Sequence, residues 1–329
     1  MNRRTGLIIL IVLAGLAATA ASLLAGKVWL SPQTLWQGFT TPGEQLSDLI
    51  FYQLRLPRAV LAILIGAALG LSGAVLQGLT RNPLAEPSLL GVSGGASLGA
   101  VIAIYFGLST AFAFATPLMG LTGAIAAGAL TFAVGRGGGT LTLILAGAAV
   151  SALAGSGVAL ALNFAPSPYA AFEITVWLLG SLSDRTWDHV ILAGPFILAG
   201  GLLLLSTARA LDALSLGEAQ AQSLGINLER TRLIALIGAG LAVGAATSVA
   251  GAIGFIGLVA PHLVRPFVGH QPSRTLIPSA LAGSTLLLTA DVATRLIPTS
   301  SEIRLGVLTS LVGLPFFFWL VMRMKRTSP

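Results

Sequence analysis

Residues 81–95, RNPLAEPSLLGVSGG, set a cation, an amide, a carboxylate, two prolines and three glycines between two long oily runs. Asn82 stands before Pro83 and Glu86 before Pro87, and the proline ring pushes the residue before it out of the helical region. A helix arriving from residue 58 therefore stops here. Gly91, Gly95 and Gly99 follow at four-residue spacing, a pattern that lets helices approach closely in lipid. A phosphate cradle needs Gly-x-x-x-x-Gly-Lys-Ser/Thr, and the stretch has no lysine. The reading is a structural break at Asn82, Pro83, Glu86 and Pro87 joining two membrane spans. Asn82 and Glu86 are expected to satisfy backbone groups freed by the break, because unpaired polar groups are costly in lipid.

The composition around the stretch agrees. The chain has 329 residues, is 55% hydrophobic and only 9% charged, with a mean hydropathy of +0.91. Soluble domains carry about 25% charged residues. Apolar runs of roughly 20 residues each suit a membrane-spanning helix, and the short alternating segments of a barrel are absent. The net charge of +7 comes without a basic stripe interleaved with aromatics, so no nucleic-acid partner is expected. There is no cysteine, and His189, His262 and His270 lack metal-ligand spacing. The N-terminal run after Arg3 and Arg4 reaches about 20 apolar residues, beyond the usual signal-peptide core, and is read as a retained first span.

Ten spans are expected: 6–26, 58–79, 91–107, 115–135, 141–164, 189–207, 233–252, 253–268, 275–296 and 305–322. The third and eighth are short, and the eighth is broken by Gly254, Gly257 and Pro261. With both termini cytoplasmic, Arg3, Arg4, Arg81, Arg136, Arg209, Arg230, Arg232, Arg265, Arg274, Arg323, Lys325 and Arg326 lie inside. Lys27, Arg55, Arg58, Arg185, Arg295 and Arg304 lie outside, the asymmetry of the positive-inside rule. Trp29, Trp36, Trp177 and Trp187 fall near the outer interface and Trp319 near the inner one. The chain reads as one all-α polytopic membrane domain, 1–329. It divides into a first span and outer segment (1–57), spans 2–6 (58–207), a cytoplasmic segment (208–232) and spans 7–10 (233–329). A weak echo joins IGAALGLSGA (65–74) to IGAGLAVGAA (237–246), running in opposite directions as in an inverted repeat.

If the chain is a transporter, its sequence offers no ATPase motif of its own, and ion coupling remains the alternative. Its two lysines, Lys27 and Lys325, precede Val28 and Arg326, so no P-loop is present. GRGGGT (135–140) matches such a loop only in glycine content. An ion-coupled secondary transporter, the alternative, would place carboxylates near the bilayer centre. Glu86 falls in the break, Glu173 in an outer segment, and Asp291 four residues before Arg295, where an i,i+4 pair can hold it. Ser93 lacks the strand-turn-helix setting and the histidine of a nucleophile elbow.

Two passages carry a resemblance: RLPRAVLAILIGAALGLSGAVLQGLTRNPLAEPSLLGVSGGASLG (55–99) and LGEAQAQSLGINLERTRLIALIGAGLAVGAATSVAGAIGFIGLVAPHLVRPFVGH (216–270), with LTADVATR (288–295) beyond. Together they resemble the permease subunit of FecCD-type ABC importers, with the type II importer fold of about ten transmembrane helices. The resemblance implies an inner-membrane homodimer working with two cytoplasmic ATPase subunits and a periplasmic or surface substrate-binding protein. Its cargo would be a metal chelate, iron-siderophore first, with cobalamin and haem open. The chain itself would be no enzyme and would bind no cofactor, ATP and Mg being used by the partner. The resemblance places binding-protein docking at Arg55, Arg58 and Arg295. It places ATPase coupling at Leu216, Gly217, Glu218, Ala219, Ala221, Leu224 and Gly225, and a cytoplasmic gate at Thr140 and Leu141. The coupling stretch 214–225 is read as two short helical pieces closed by Gly225.

Overall fold

A computed structural model describes residues 3–26, 29–31, 33, 49–298 and 302–327. Lys27, Trp36 and most of the expected outer segment after the first span lie outside the described residues. Within them the chain is helical throughout, with 14 α-helices and no strand. In order these are α1 (Arg3–Leu24), α2 (Leu56–Thr80, entered through a π-turn at Ile50–Arg55), α3 (Val92–Tyr105), α4 (Leu108–Ala111), α5 (Ala115–Gly135), α6 (Thr140–Asn163), α7 (Pro168–Leu178), α8 (Trp187–Ser206), α9 (Ala208–Leu214), α10 (Glu218–Ser223), α11 (Leu228–Ala250), α12 (Ile256–Val264), α13 (Pro272–Leu296) and α14 (Leu305–Thr327).

Local chemistry sets several boundaries. Pro57, Pro168 and Pro272 open α2, α7 and α13, where the first turn has no use for their missing N–H. The Asn227 side chain accepts from the Arg230 N–H at 2.9 Å and caps α11. Eight helices are long and apolar enough to cross a membrane: α1, α2, α5, α6, α8, α11, α13 and α14. The other apolar segments, α3 and α12, are shorter.

The two central helices are α2 and α11, each buried over 78% of its most apolar window. They carry the echoing stretches, each beginning nine residues after the helix start (65 − 56 and 237 − 228). Each is followed by a break and a short helix, α3 after α2 and α12 after α11. The partners match in part: α2 packs on α13 and α12 as α11 packs on α5 and α3, but α11 also packs extensively on α8, whereas α1 scarcely touches α2. The glycine spacing explains the closeness of these crossings. A Cβ on Gly73 of α2 would collide with the backbone of Gly257 in α12, and one on Gly95 of α3 with Gly123 of α5.

Two expectations need correction. The eighth span is not broken at Gly257 or Pro261: the irregular backbone lies at 251–254, and α12 runs through both residues. The proline leaves its Gly257 acceptor without the usual helical donor, and that carbonyl faces Gly73 of α2 rather than lipid. The stretch 214–225 holds one helix, not two. The first piece, α9, ends at Leu214, and only α10 lies inside.

The arginines separate to two ends of the bundle. Arg81, Arg136, Arg209, Arg230, Arg232, Arg265 and Arg274 share one, here called the basic end, with the start of α11 and the close of α2. Arg55, Arg58, Arg185, Arg295 and Arg304 share the other.

Candidate functional site

The basic end is built around a turn. Helix α9 leaves α8 and is tied to the start of α13 by Asp212, whose Oδ1 accepts from the Ser273 N–H (2.8 Å) and whose Oδ2 accepts from Gln271 Nε2 and Ser273 Oγ (both 2.7 Å). Burial opposes ionisation of Asp212, but these hydrogen bonds and the nearby Arg274 charge hold its carboxyl below the usual range. The chain then turns through Ser215 to Gly217, whose φ of 118° suits glycine alone, and enters α10.

At the first residue of α10, three elements meet on one carboxylate oxygen. Glu218 Oε1 accepts from Thr140 Oγ1, the first residue of α6, at 2.8 Å, and from Arg232 Nη2, in the second turn of α11, at 2.9 Å. Arg232 Nε also donates to Thr140 Oγ1 at 3.3 Å. The Thr140 hydrogen bond is the main influence holding the Glu218 carboxyl below its ordinary range; burial opposes it and Arg232 reinforces it. Thr140 and Glu218 were named from the sequence. Arg232 was counted only among the inside cations, because nothing local in LERTRLIAL distinguishes it from Arg230, which is exposed.

The remaining coupling residues divide by face. Ala221 is fully buried against the bundle, whereas Leu216 and Leu224 are each 63% exposed. Ala219 and Gly225 are exposed as well, and Gly217 is half-buried. Of the two gate residues, Thr140 is engaged as above and Leu141 is 68% exposed.

The break at 81–91 lies beside this junction. Asn82 Oδ1 accepts from the Leu84 N–H at 2.9 Å, and Glu86 Oε1 accepts from the Phe255 N–H at 2.7 Å. Phe255 sits at φ 67° at the N-terminus of α12, so Glu86 joins the two breaks that follow α2 and α11. Pro87 opens a 3₁₀ turn over 87–90 and packs against Gly257, while Pro83 lies in the turn between Asn82 and Ala85. Burial pushes the Glu86 carboxyl up, against the Phe255 hydrogen bond.

At the opposite end the three docking candidates are internally engaged. Asp291 of α13 is fully buried between Arg58 (Nε to Oδ1, 2.9 Å) and Arg295 (Nη2 to Oδ2, 2.8 Å). Arg58 also donates to Glu302 at 2.7 Å, and Glu302 accepts from Ser183 Oγ at 2.7 Å. Arg55 Nη1 reaches the carbonyls of Leu23 and Leu24, and Arg295 Nη1 those of Ser22 and Ala25. These arginines thus cap the C-terminal carbonyls of α1. With Asp184, Arg185 and Glu302 they line an open cavity of ≈ 570 Å³. Among the described residues no group of His, Asp and Glu suits a metal ion.

Residues 10–323 match the FecCD transport family. The chain is 39% identical over 322 residues to the hemin transport system permease protein HmuU of Yersinia pestis, covering 96% of this chain and 95% of that protein. It is 37% identical over 313 residues to the vitamin B12 import system permease protein BtuC of Citrobacter koseri, covering 94% and 92%. A solved structure of a metal-chelate type ABC transporter in an inward-facing conformation superposes with a TM-score of 0.85 at 31% identity, covering 97% of this chain and 99% of that one.

Proposed function

The chain belongs to the FecCD transport family, and from that premise we propose that it is the permease subunit of an ABC importer for a metal chelate. In this reading it crosses the inner membrane ten times, α3 and α12 being the two short crossings, with both termini cytoplasmic. It forms one domain with the divisions given above and works as a homodimer. The basic end faces the cytoplasm and two ATPase subunits, and a substrate-binding protein delivers cargo at the other end. Iron-siderophore is the first candidate cargo, with cobalamin and haem as the others.

The observation that carries the reading is the Thr140–Glu218–Arg232 junction. Leu216, Ala219, Leu224 and Gly225 form the face of α10 and its flanks that an ATPase groove would hold, a helix-in-groove contact. A push on α10 moves Glu218, and through it Thr140 and the start of α6. Helix α6 suits a pathway wall: its exposed face is Thr142, Ala148, Ala149, Ala152, Gly155, Ser156 and Ala159 between scattered leucines. The exposed face of α14, with Leu311, Val312 and Phe318, is bulkier and suits lipid. ATP binding and hydrolysis take place in the partner. This chain's residues pass on the motion.

Docking is proposed at the ≈ 570 Å³ cavity rather than on free cations. An acidic side chain of the binding protein would compete with Glu302, 30% exposed, for Arg58. Such charge exchange fixes register more than it adds affinity.

The test is reconstitution in liposomes with the ATPase and binding protein. Loaded binding protein should stimulate ATP hydrolysis and chelate uptake together. Uptake by the chain alone, abolished by collapsing an ion gradient and indifferent to ATP, would overturn the reading in favour of a secondary transporter.

A further inference from the structure

A second cavity at the basic end, ≈ 290 Å³, lies between the end of α2 and the start of α13. Its lining includes Arg81, Arg265, His270, Gln77, Ser215 and Thr275. Three of these are cationic or titratable bases, and no carboxylate lines it. The nearest acids are engaged elsewhere: Asp212 with Gln271 and Ser273, and Glu218 with Thr140 and Arg232. The hydroxyls are engaged too, Ser215 donating to the Asp212 carbonyl and Thr275 to the Gln271 carbonyl.

Arg265 is the informative residue. Its guanidinium is half-buried, and its hydrogen-bond partner among the described residues is an uncharged amide oxygen, Gln77 Oε1. Gln77 is 97% buried and is itself held towards the carbonyls of Ala85 and Leu258. A partly desolvated cation with no counter-charge is completed by an anion, since desolvation weakens a lone charge and a paired one is compensated. Arg58, Arg295 and Arg232 have carboxylates and Arg55 has helix-end carbonyls, whereas Arg185 shares with Arg265 the lack of a carboxylate in hydrogen-bond contact. Arg265 faces a cavity, with Arg81 and His270 on the same walls. Fork-shaped guanidinium donors match the oxygens of a phosphate group.

We propose that this cavity is a phosphate-binding site, formed by Arg265, Arg81 and His270, that takes an anionic phospholipid headgroup or free inorganic phosphate. Basic pockets between helix ends at the headgroup level are where such lipids are held. Arg81 lies within charge reach of Glu218, so the site borders the gate–coupling junction, but it stands whether or not the chain works with an ATPase.

The experiment uses the delipidated full chain in detergent. Phosphatidylglycerol, phosphatidylcholine and inorganic phosphate are added separately. Native mass spectrometry reads bound lipid, and a thermal melt reads stabilisation. Phosphatidylglycerol retained in preference to phosphatidylcholine, and lost about fivefold in Arg81→Gln and at least as much in Arg265→Gln, supports the lipid source; that factor follows from about 1 kcal/mol per basic residue at the headgroup. Stabilisation by inorganic phosphate alone, weakened by the same substitutions, supports the free-phosphate source. Arg81 and His270 are exposed, so Arg81→Gln and His270→Ala keep the test valid if Arg265→Gln fails to fold. Failure of all three additives to bind, or binding unchanged by the substitutions, overturns the proposal. If no phosphate binds but Arg81→Gln weakens association with the ATPase, the cavity serves a partner carboxylate and the proposal is also overturned.

Discussion

Replacing Asp291 by Asn should unfold this chain more readily than any other single isosteric change in the Arg58–Asp291–Arg295–Glu302 cluster. Asp291 is fully buried, and its two partners, Arg58 and Arg295, have side-chain exposures of 14% and 8%. The four charges Arg58, Arg295, Asp291 and Glu302 sum to zero. The amide leaves a net positive charge in the cluster. It also weakens two charge-assisted contacts of 2.8–2.9 Å. Breaking a buried pair from one side typically costs about 3–5 kcal/mol, because the remaining charge is stranded. At about 2–4 °C per kcal/mol, the melt of the purified chain should fall by roughly 6–20 °C. A double-mutant cycle isolates the pair. Arg295→Gln should cost about 1–3 kcal/mol less in the Asp291→Asn background than in the parent, since its counter-charge is already gone. Some cost should persist there, because Arg295 also holds the Ser22 and Ala25 carbonyls. A melt within about 2 °C of the parent, or strict additivity of the two changes, would refute the view that these arginines are primarily structural.

Other outcomes follow from the same geometry. Arg232→Gln should leave the melt nearly unchanged, since partly exposed pairs contribute about 0–1 kcal/mol. In the reconstituted complex it should reduce stimulation of ATP hydrolysis by loaded binding protein about fivefold or more, the scale of a coupling free energy. Asp212→Asn should cost about 1 kcal/mol at neutral pH, as lost caps do. Because the native Asp212 carboxyl sits below its unfolded value, its contribution is present above the usual carboxylate pKa and lost as pH falls through the native one. The parent should therefore lose its margin over the variant on acidification, as read by melts at neutral and acid pH. Gly73→Ala should destabilise by about 1–3 kcal/mol, because the new methyl meets Gly257 backbone. Gly240→Ala, with nothing within 4 Å of the added atom, should be neutral or stabilising by up to about 1 kcal/mol in the same melt.

The helices were legible because lipid demands long apolar runs and tolerates few exceptions. Residues 115–135 and 141–164 were read almost to the residue, and the third and eighth apolar runs were already short in the sequence. The Asp291–Arg295 pair was legible too, since four residues on one helix fix its geometry. Pro261 misled, because whether a proline interrupts a helix depends on what receives the freed carbonyl, and Gly73 lies 188 residues away. The arginines expected outside do gather at one end of the bundle, yet their partners were hidden. Arg55 and Arg295 bond carbonyls 31 and 270 residues distant, and backbone carbonyls leave no mark in a sequence. The role of Arg232 was missed for a related reason: it exists only where α6, α10 and α11 meet.

The capping of α1 has a consequence for how the protein is made. Helix α1 is translated ahead of α13, yet it packs mainly on it, and only 11% of its apolar window is buried. Two of its last carbonyls, those of Ser22 and Ala25, wait for Arg295. Arg55 can hold the Leu23 and Leu24 carbonyls after about 31 further residues, but the Ala25 carbonyl gains its Arg295 partner only when 270 further residues have been translated. The end of α1 is thus completed by a residue from the far part of the same chain.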